Sequence, residues 1–181
     1  MNRQSAINLV VLLAIILFSG QSSLGQRPIS SRGNERLIRE IRHELVTLPF
    51  YSVFDNLEYK VDGDAVTLMG QVTRSTLKSD AGKAAQQIEG VSKVTNQIEV
   101  LPVSPADDQI RRAVYYTLFS QNSSLFRYGW GAVPPIHIIV KGGRVTLVGV
   151  IDNASDKDAA ALLVKGVSGI FSVTNNLRVE N

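Results

Sequence analysis

The sequence contains no cysteine. It can therefore form no disulfide, offer no thiolate nucleophile and build no thiolate metal site, so its stability must come from packing. Histidine is scarce: there are two, His43 and His137, and neither has a metal-ligand partner at helical or hairpin spacing. Both read as solvated or packed side chains. No serine stands in a Gly-x-Ser-x-Gly elbow. Val140-Lys141-Gly142-Gly143-Arg144 has two glycines but not the spacing of a phosphate loop. Asp152, Asp156 and Asp158 gather near a helix start without the glycine-containing loop and closing glutamate of a calcium site, and helix-dipole complementarity accounts for them. The sequence thus offers no catalytic, cofactor-binding or metal-binding set, and the expectation is a protein that is not an enzyme and has no evident small-molecule substrate. Charge of one sign is also lacking. The net charge is +3, with residues 26–103 balanced and residues 104–181 at +2. That is a weak bias toward anionic partners, far below the charge density of a nucleic-acid binder.

Long hydrophobic runs are absent except at the N-terminus. Met1-Asn2-Arg3 gives a positive start, Leu9 to Phe18 is apolar, and Ser23 and Gly25 supply small residues before a possible cut ahead of Gln26. This is the layout of a secretory signal peptide over residues 1–25, and it implies a periplasmic or otherwise exported chain. An uncleaved N-terminal membrane anchor is the alternative, although about 13 largely apolar residues fall short of the roughly 20 that a span needs. A lipid-modified N-terminal cysteine is excluded.

What the sequence does have is a repeat. Val66-Thr67-Leu68-Met69-Gly70 returns 79 positions later as Val145-Thr146-Leu147-Val148-Gly149. The same offset pairs Lys78 with Lys157, Gly90 with Gly169, and Val94-Thr95-Asn96 with Val173-Thr174-Asn175. One small fold is built twice, at 35–103 and 107–180. In the first copy Leu37, Ile38, Ile41, Leu45 and Leu48 recur at helical spacing, with Asn34 as N-cap and Pro49 as stop. Leu57 to Val61 alternates as a strand, Asp62-Gly63-Asp64 turns, and Ala65 to Val72 returns. A helix follows from Ser75 to Ile88, then a strand from Val94 to Leu101. In the second copy Asp107 or Asp108 caps the first helix, and Ser155 caps the second. The strands fall at Ile136–Val140, Val145–Ile151 and Val173–Val179. The order helix, strand, strand, helix, strand predicts an α+β fold: tandem αββαβ modules, each a two-layer sandwich of two helices on a mixed three-stranded sheet. Gly70 and Gly149 read as close backbone approaches at strand ends, and Gly90 and Gly169 as left-handed positions after a helix. All four glycines read as structural.

Asp62 to Val72, Gly90-Val91-Ser92-Lys93-Val94-Thr95-Asn96 and their partners in the second copy resemble the BON domain family. These are small αββαβ modules of exported bacterial proteins. The second copy departs slightly, with Ile170 in place of Val91. The two-copy layout behind an export signal is also similar to the osmotically inducible periplasmic proteins of that family. The resemblance implies a non-enzymatic module that associates with phospholipid or with envelope proteins, in osmotic or envelope stress. It supplies no catalytic residues.

The copies differ most between first helix and first strand, where the second copy gains six residues. The stretch Ser123 to Pro135 holds the only tryptophan, Trp130, together with Phe126, Arg127 and Tyr128, and the helix before it adds Arg111, Arg112, Tyr115, Tyr116 and Phe119. Aromatics beside arginine suit a membrane interface, where rings sit at headgroup depth and guanidinium forks pair with phosphate. The same set suits a protein-binding hot spot. A third reading folds Trp130 and Phe126 back over the small core. The expected contact residues are Arg111, Arg112, Tyr115, Phe126, Arg127, Tyr128 and Trp130. The expected partners are an anionic phospholipid surface or envelope proteins. A soluble periplasmic protein-interaction or chaperone-like module is the alternative.

Overall fold

A computed structural model of the chain describes residues 31–131 and 133–180, with Ser31 and Arg32 described in backbone only. The expected signal peptide, 1–25, and the start at Gln26 lie outside the described residues. Among the described residues, four helices and two mixed sheets form the same arrangement twice. The first copy runs α1 (Ser31–Val46), β1 (Asn56–Asp62), β2 (Ala65–Val72), α2 (Ser75–Gln87), β3 (Lys93–Asn96) and β4 (Glu99–Val100). The second runs α3 (Pro105–Phe119), a 3-10 turn (Phe126–Gly129), β5 (Ile136–Lys141), β6 (Arg144–Ile151), α4 (Ala154–Lys165) and β7 (Ser172–Val179).

In each copy the first two strands are antiparallel and the last lies parallel to the middle one. Alternation along β2 turns Val66, Leu68 and Val72 toward Leu37, Ile41 and Leu45 of α1 and Leu77, Ala81 and Ala85 of α2, so both helices cover one face of the sheet. The second copy packs the same way around Val145, Leu147 and Ile151. The repeated motifs are scaffold in both. The Nδ2 of Asn96 donates to the carbonyl of Lys78 at 2.8 Å, and that of Asn175 to Lys157 at 2.7 Å, so one asparagine ties the last strand to the second helix in each copy. Gly70 and Gly149 have φ of +105° and +131°, and a Cβ there would lie 2.1 Å from the Asn56 carbonyl oxygen and 1.9 Å from that of Pro135. Only glycine allows both the conformation and the approach. Gly90 and Gly169 also hold positive φ.

Four local expectations are corrected. The first helix begins at Ser31, so Asn34 lies inside it rather than capping it. Ser104 caps α3 by accepting from the Asp107 N–H at 3.2 Å, with Pro105 in the first turn. The Asp107 carboxylate instead accepts the Gly142 and Gly143 N–H groups at 2.8 Å each, tying α3 to the β5–β6 hairpin. Asn153, not Ser155, caps α4 by accepting from the Asp156 N–H at 2.9 Å. The last strand of the first copy is interrupted at Gln97 and Ile98, where the Ile98 N–H turns to the Asn96 side chain, although β3 and β4 keep one register on β2.

The copies are docked. Val53, from the α1–β1 connection, is buried in the core of the second copy, and Phe54 packs against Tyr115 with ring centroids 6.1 Å apart. The Ile138 N–H of β5 donates to the Val53 carbonyl at 2.7 Å. Tyr51 stacks on His137 at 5.5 Å, and Lys141 pairs with Glu99. α3 is apolar around most of its circumference because the first copy covers part of it.

Candidate contact surface and copy–copy seam

The stretch that is longer in the second copy is a folded element. Its entry turns on Ser123, whose carbonyl accepts from the Phe126 N–H at 3.1 Å and whose Oγ accepts from the Leu125 N–H at 3.1 Å. Leu125 is driven fully into the core. The 3-10 turn then packs flat on α3, because Gly129 has no side chain: a Cβ there would meet the Phe119 Cβ at 2.9 Å. Tyr128 is buried, and its hydroxyl donates to Asp156 at 2.7 Å while accepting from the Asp152 N–H at 3.1 Å. Burial, and then this donation to a carboxylate, raise the phenol pKa. Arg127 lies over the Tyr128 ring at 4.6 Å, pairs with Asp156 and reaches Asp152 at 3.4 Å. The aspartates at the start of α4 therefore anchor the turn as well as favouring the helix dipole.

Trp130 is left on the outside. It is 69% exposed, and Phe126 meets its ring edge-on at 5.5 Å. Leu125 and Tyr128, rather than Trp130, close the core. The other expected contact residues divide. Arg112 is exposed and unpaired among the described residues, and one turn further along α3 the Tyr116 ring is exposed too. Tyr115 is half-buried at the seam against Phe54 and Phe119. Arg111 is 4% exposed, pairs with Asp108 and donates to the Val140 carbonyl at 2.7 Å. Arg111 and Tyr128 are struts inside the second copy and do not reach a surface partner. Arg127 is held by two carboxylates and keeps little free charge for a phosphate. The accessible group is Phe126, Trp130, Tyr116 and Arg112.

Tyr115 apart, the residues that make the seam between the copies are not among the expected contact residues. Asp55 is fully buried there and accepts four hydrogen bonds: Ser52 N–H at 3.1 Å, Ser52 Oγ at 2.7 Å, Thr73 N–H at 2.7 Å and Thr73 Oγ1 at 2.8 Å. That carboxylate holds the 52–55 loop in the shape that enters the other copy. His137 lies against the loop with its Nδ1 buried and unbonded, and burial pushes its pKa below the usual value. Burial also pushes the Tyr51 phenol up to about 12. The available signal was a Tyr51-Ser52-Val53-Phe54 run, apolar yet outside any periodic element. Among the described residues no group of three or more His, Asp or Glu is placed to hold a metal, and no helix is long and apolar enough to cross a membrane.

A repeated αββαβ scaffold with the same asparagine tie and the same glycine approach in each copy defines a tandem module of one family. The chain belongs to the BON domain family, whose pattern matches residues 37–102 and 122–181. It is 27% identical over 127 residues to Osmotically-inducible protein Y of Escherichia coli (strain K12), covering 69% of this chain and 62% of that protein. It is 33% identical over 109 residues to Outer membrane lipoprotein DolP of Haemophilus influenzae, covering 60% of this chain and 54% of that protein. The chain thus spans less than two thirds of the length of these curated relatives. Among solved structures it is similar to the C-terminal domain of CdsD, a structural protein of the type III secretion system of Chlamydia trachomatis. That likeness has 14% identity and a TM-score of 0.32, over 80% of this chain and 98% of that one.

Proposed function

We propose that this chain is a non-enzymatic, exported envelope protein of two BON-like units, 35–103 and 107–180. Its second unit makes reversible contact with anionic phospholipid surfaces, in osmotic or envelope stress. Export rests on residues 1–25, read as a cleaved signal peptide or as an N-terminal anchor. The relatives named for osmotic induction and for the outer membrane support an envelope setting. The observation that carries the membrane contact is Trp130, 69% exposed on a turn fixed from beneath by Leu125 and Tyr128. Phe126 meets its ring edge-on, and the exposed Tyr116 and the unpaired cation Arg112 lie on α3 of the same copy. Aromatic rings settle at headgroup depth, and each well-placed cation adds roughly 1 kcal/mol at an anionic surface. Binding is therefore modest and sensitive to salt.

Trp130 is the only tryptophan, so its emission reports the contact directly. A blue shift with vesicles containing anionic lipid at low salt, reversed by added salt and absent with neutral vesicles, is the expected result. Co-sedimentation should fall on Arg112→Ala. No binding at low salt sinks the membrane reading.

A second reading, a soluble periplasmic interaction or chaperone-like module, is favoured by one observation. Arg111 and Arg127 are neutralised within their own copy, which leaves a patch richer in aromatic surface than in cations, as in protein hot spots. Cross-linking from position 130 in envelope extracts that captures polypeptide, with no vesicle binding, would select it.

A further inference from the structure

The sheet faces that carry no helix look at each other across a cleft between the copies. It has two adjoining lobes of about 950 and 920 Å³, which share Glu58 and Met69 on one wall and Val148 and Asn176 on the other. In the first lobe Lys141 pairs with Glu99, Asp107 accepts the Gly142 and Gly143 amides, and Arg144 lies over the Phe171 ring at 4.9 Å. The second lobe differs. Leu57, Met69, Val133 and Val148 give it an apolar lining, and Arg42 of α1 and Arg178 of β7 line it as well. Both arginines are exposed, and neither has an ion-pair or hydrogen-bond partner among the described residues. The acid in this lobe, Glu58, already accepts from Asn56 Nδ2 at 2.8 Å.

A lobe of this size and lining is in the range of small-molecule sites. It wraps the outer edge of β1, an edge strand that contributes Asn56 to Tyr59, and is closed on the other side by Val133 to Pro135 and by Val148 and Arg178. Two unpaired guanidinium groups beside an apolar wall fit a ligand with one anionic head and one alkyl chain, since the guanidinium fork matches a carboxylate. We infer that this lobe binds a single-chain carboxylate amphiphile, its head on Arg42 and Arg178 and its chain along Leu57, Met69, Val133 and Val148. The site does not involve Trp130 and stands whether or not the chain touches a membrane.

Dodecanoate below its micelle concentration is the probe, with dodecanol and acetate as controls, measured by calorimetry on the full chain. Met69 is the only methionine besides Met1, so its labelled methyl group reports the cleft by NMR, and Arg42 and Arg178, which line the second lobe only, assign the lobe. The expected result is saturable one-to-one binding that shifts the Met69 methyl. Affinity should fall about tenfold or more for dodecanol and for the Arg42→Gln, Arg178→Gln double variant. Acetate should not bind measurably, and Trp130→Ala should leave dodecanoate binding unchanged. The double variant alters exposed side chains only, and its melting curve checks the fold; Val148→Trp, which puts a bulky ring on the apolar wall where the chain would lie, should weaken binding independently. No saturable binding overturns the inference. So does binding that leaves Met69 unshifted, binding shared equally by dodecanol or acetate, binding indifferent to the two arginines and to Val148→Trp, or binding lost with Trp130.

Discussion

Between first helix and first strand the two copies solve one problem with different residues. In the first copy the connection is short, and Asp55 accepts the Thr73 N–H at the end of β2. Two of its apolar residues, Val53 and Phe54, leave their own copy and enter the other, while Leu48 and Tyr51 pack on their own core. In the second copy the connection is six residues longer. Here the Tyr128 hydroxyl accepts the equivalent N–H, that of Asp152, and Leu125 closes its own core. The extra length leaves Trp130 outside with no part in the core. The scaffold is common, the first connection docks the copies, and the second presents a surface.

The largest effects should fall on what the copies share. Gly70→Val and Gly149→Val each force a Cβ against a backbone carbonyl at positive φ, and each should cost about 4 kcal/mol or more in denaturant unfolding. Similar losses at both sites are expected, and a tolerated valine at either would break the equivalence. Next come the two acceptors. Asp55→Ala strands four donors and should cost roughly 3–5 kcal/mol, whereas Tyr128→Phe removes one hydroxyl and should cost about 1–3 kcal/mol.

Val53→Ala sharpens the docking half of the comparison. It should destabilise the second copy by about 1–3 kcal/mol although the residue belongs to the first, and amide exchange in β5 and α3 should rise with it. Smaller still is a pH effect at the same seam. The folded pKa of His137 lies below its ordinary 6.5, so the unfolded chain binds its proton more tightly. The stability from this group is complete above about 6.5 and is lost as pH falls through the folded value. His137→Phe should flatten the melting temperature against pH over that window.

Much of the scaffold was readable because both periodicities are strong and the repeat lets each copy check the other. Val66, Leu68 and Val72 alternate cleanly and recur 79 positions on, while Leu37, Ile41 and Leu45 keep helical spacing and recur 73 positions on. The caps were misread because several polar residues stand at each helix start, and tertiary demand decides among them. Asp107 was drawn to the hairpin amides, which left the cap to Ser104. Which of the expected contact residues are exposed is decided by tertiary demand in the same way. Arginine reads as surface in a sequence, yet Arg111 is buried by its bond to the Val140 carbonyl, across 29 residues of chain. Nothing local marks Val53 as a core residue of the other copy, since that depends on how the copies dock.

Phe50 gives the central comparison a matched control. It sits in the first connection and is 69% exposed, the same as Trp130. Co-sedimentation with anionic vesicles at low salt, run on Trp130→Ala and Phe50→Ala side by side, tests whether function lies in the second copy's connection. Trp130→Ala should lose most of the bound fraction while both variants unfold within about 0.5 kcal/mol of the parent. Phe50→Ala should bind as the parent does. Equal losses from both, or a loss from Phe50→Ala alone, would contradict the division between a docking connection and a contact connection.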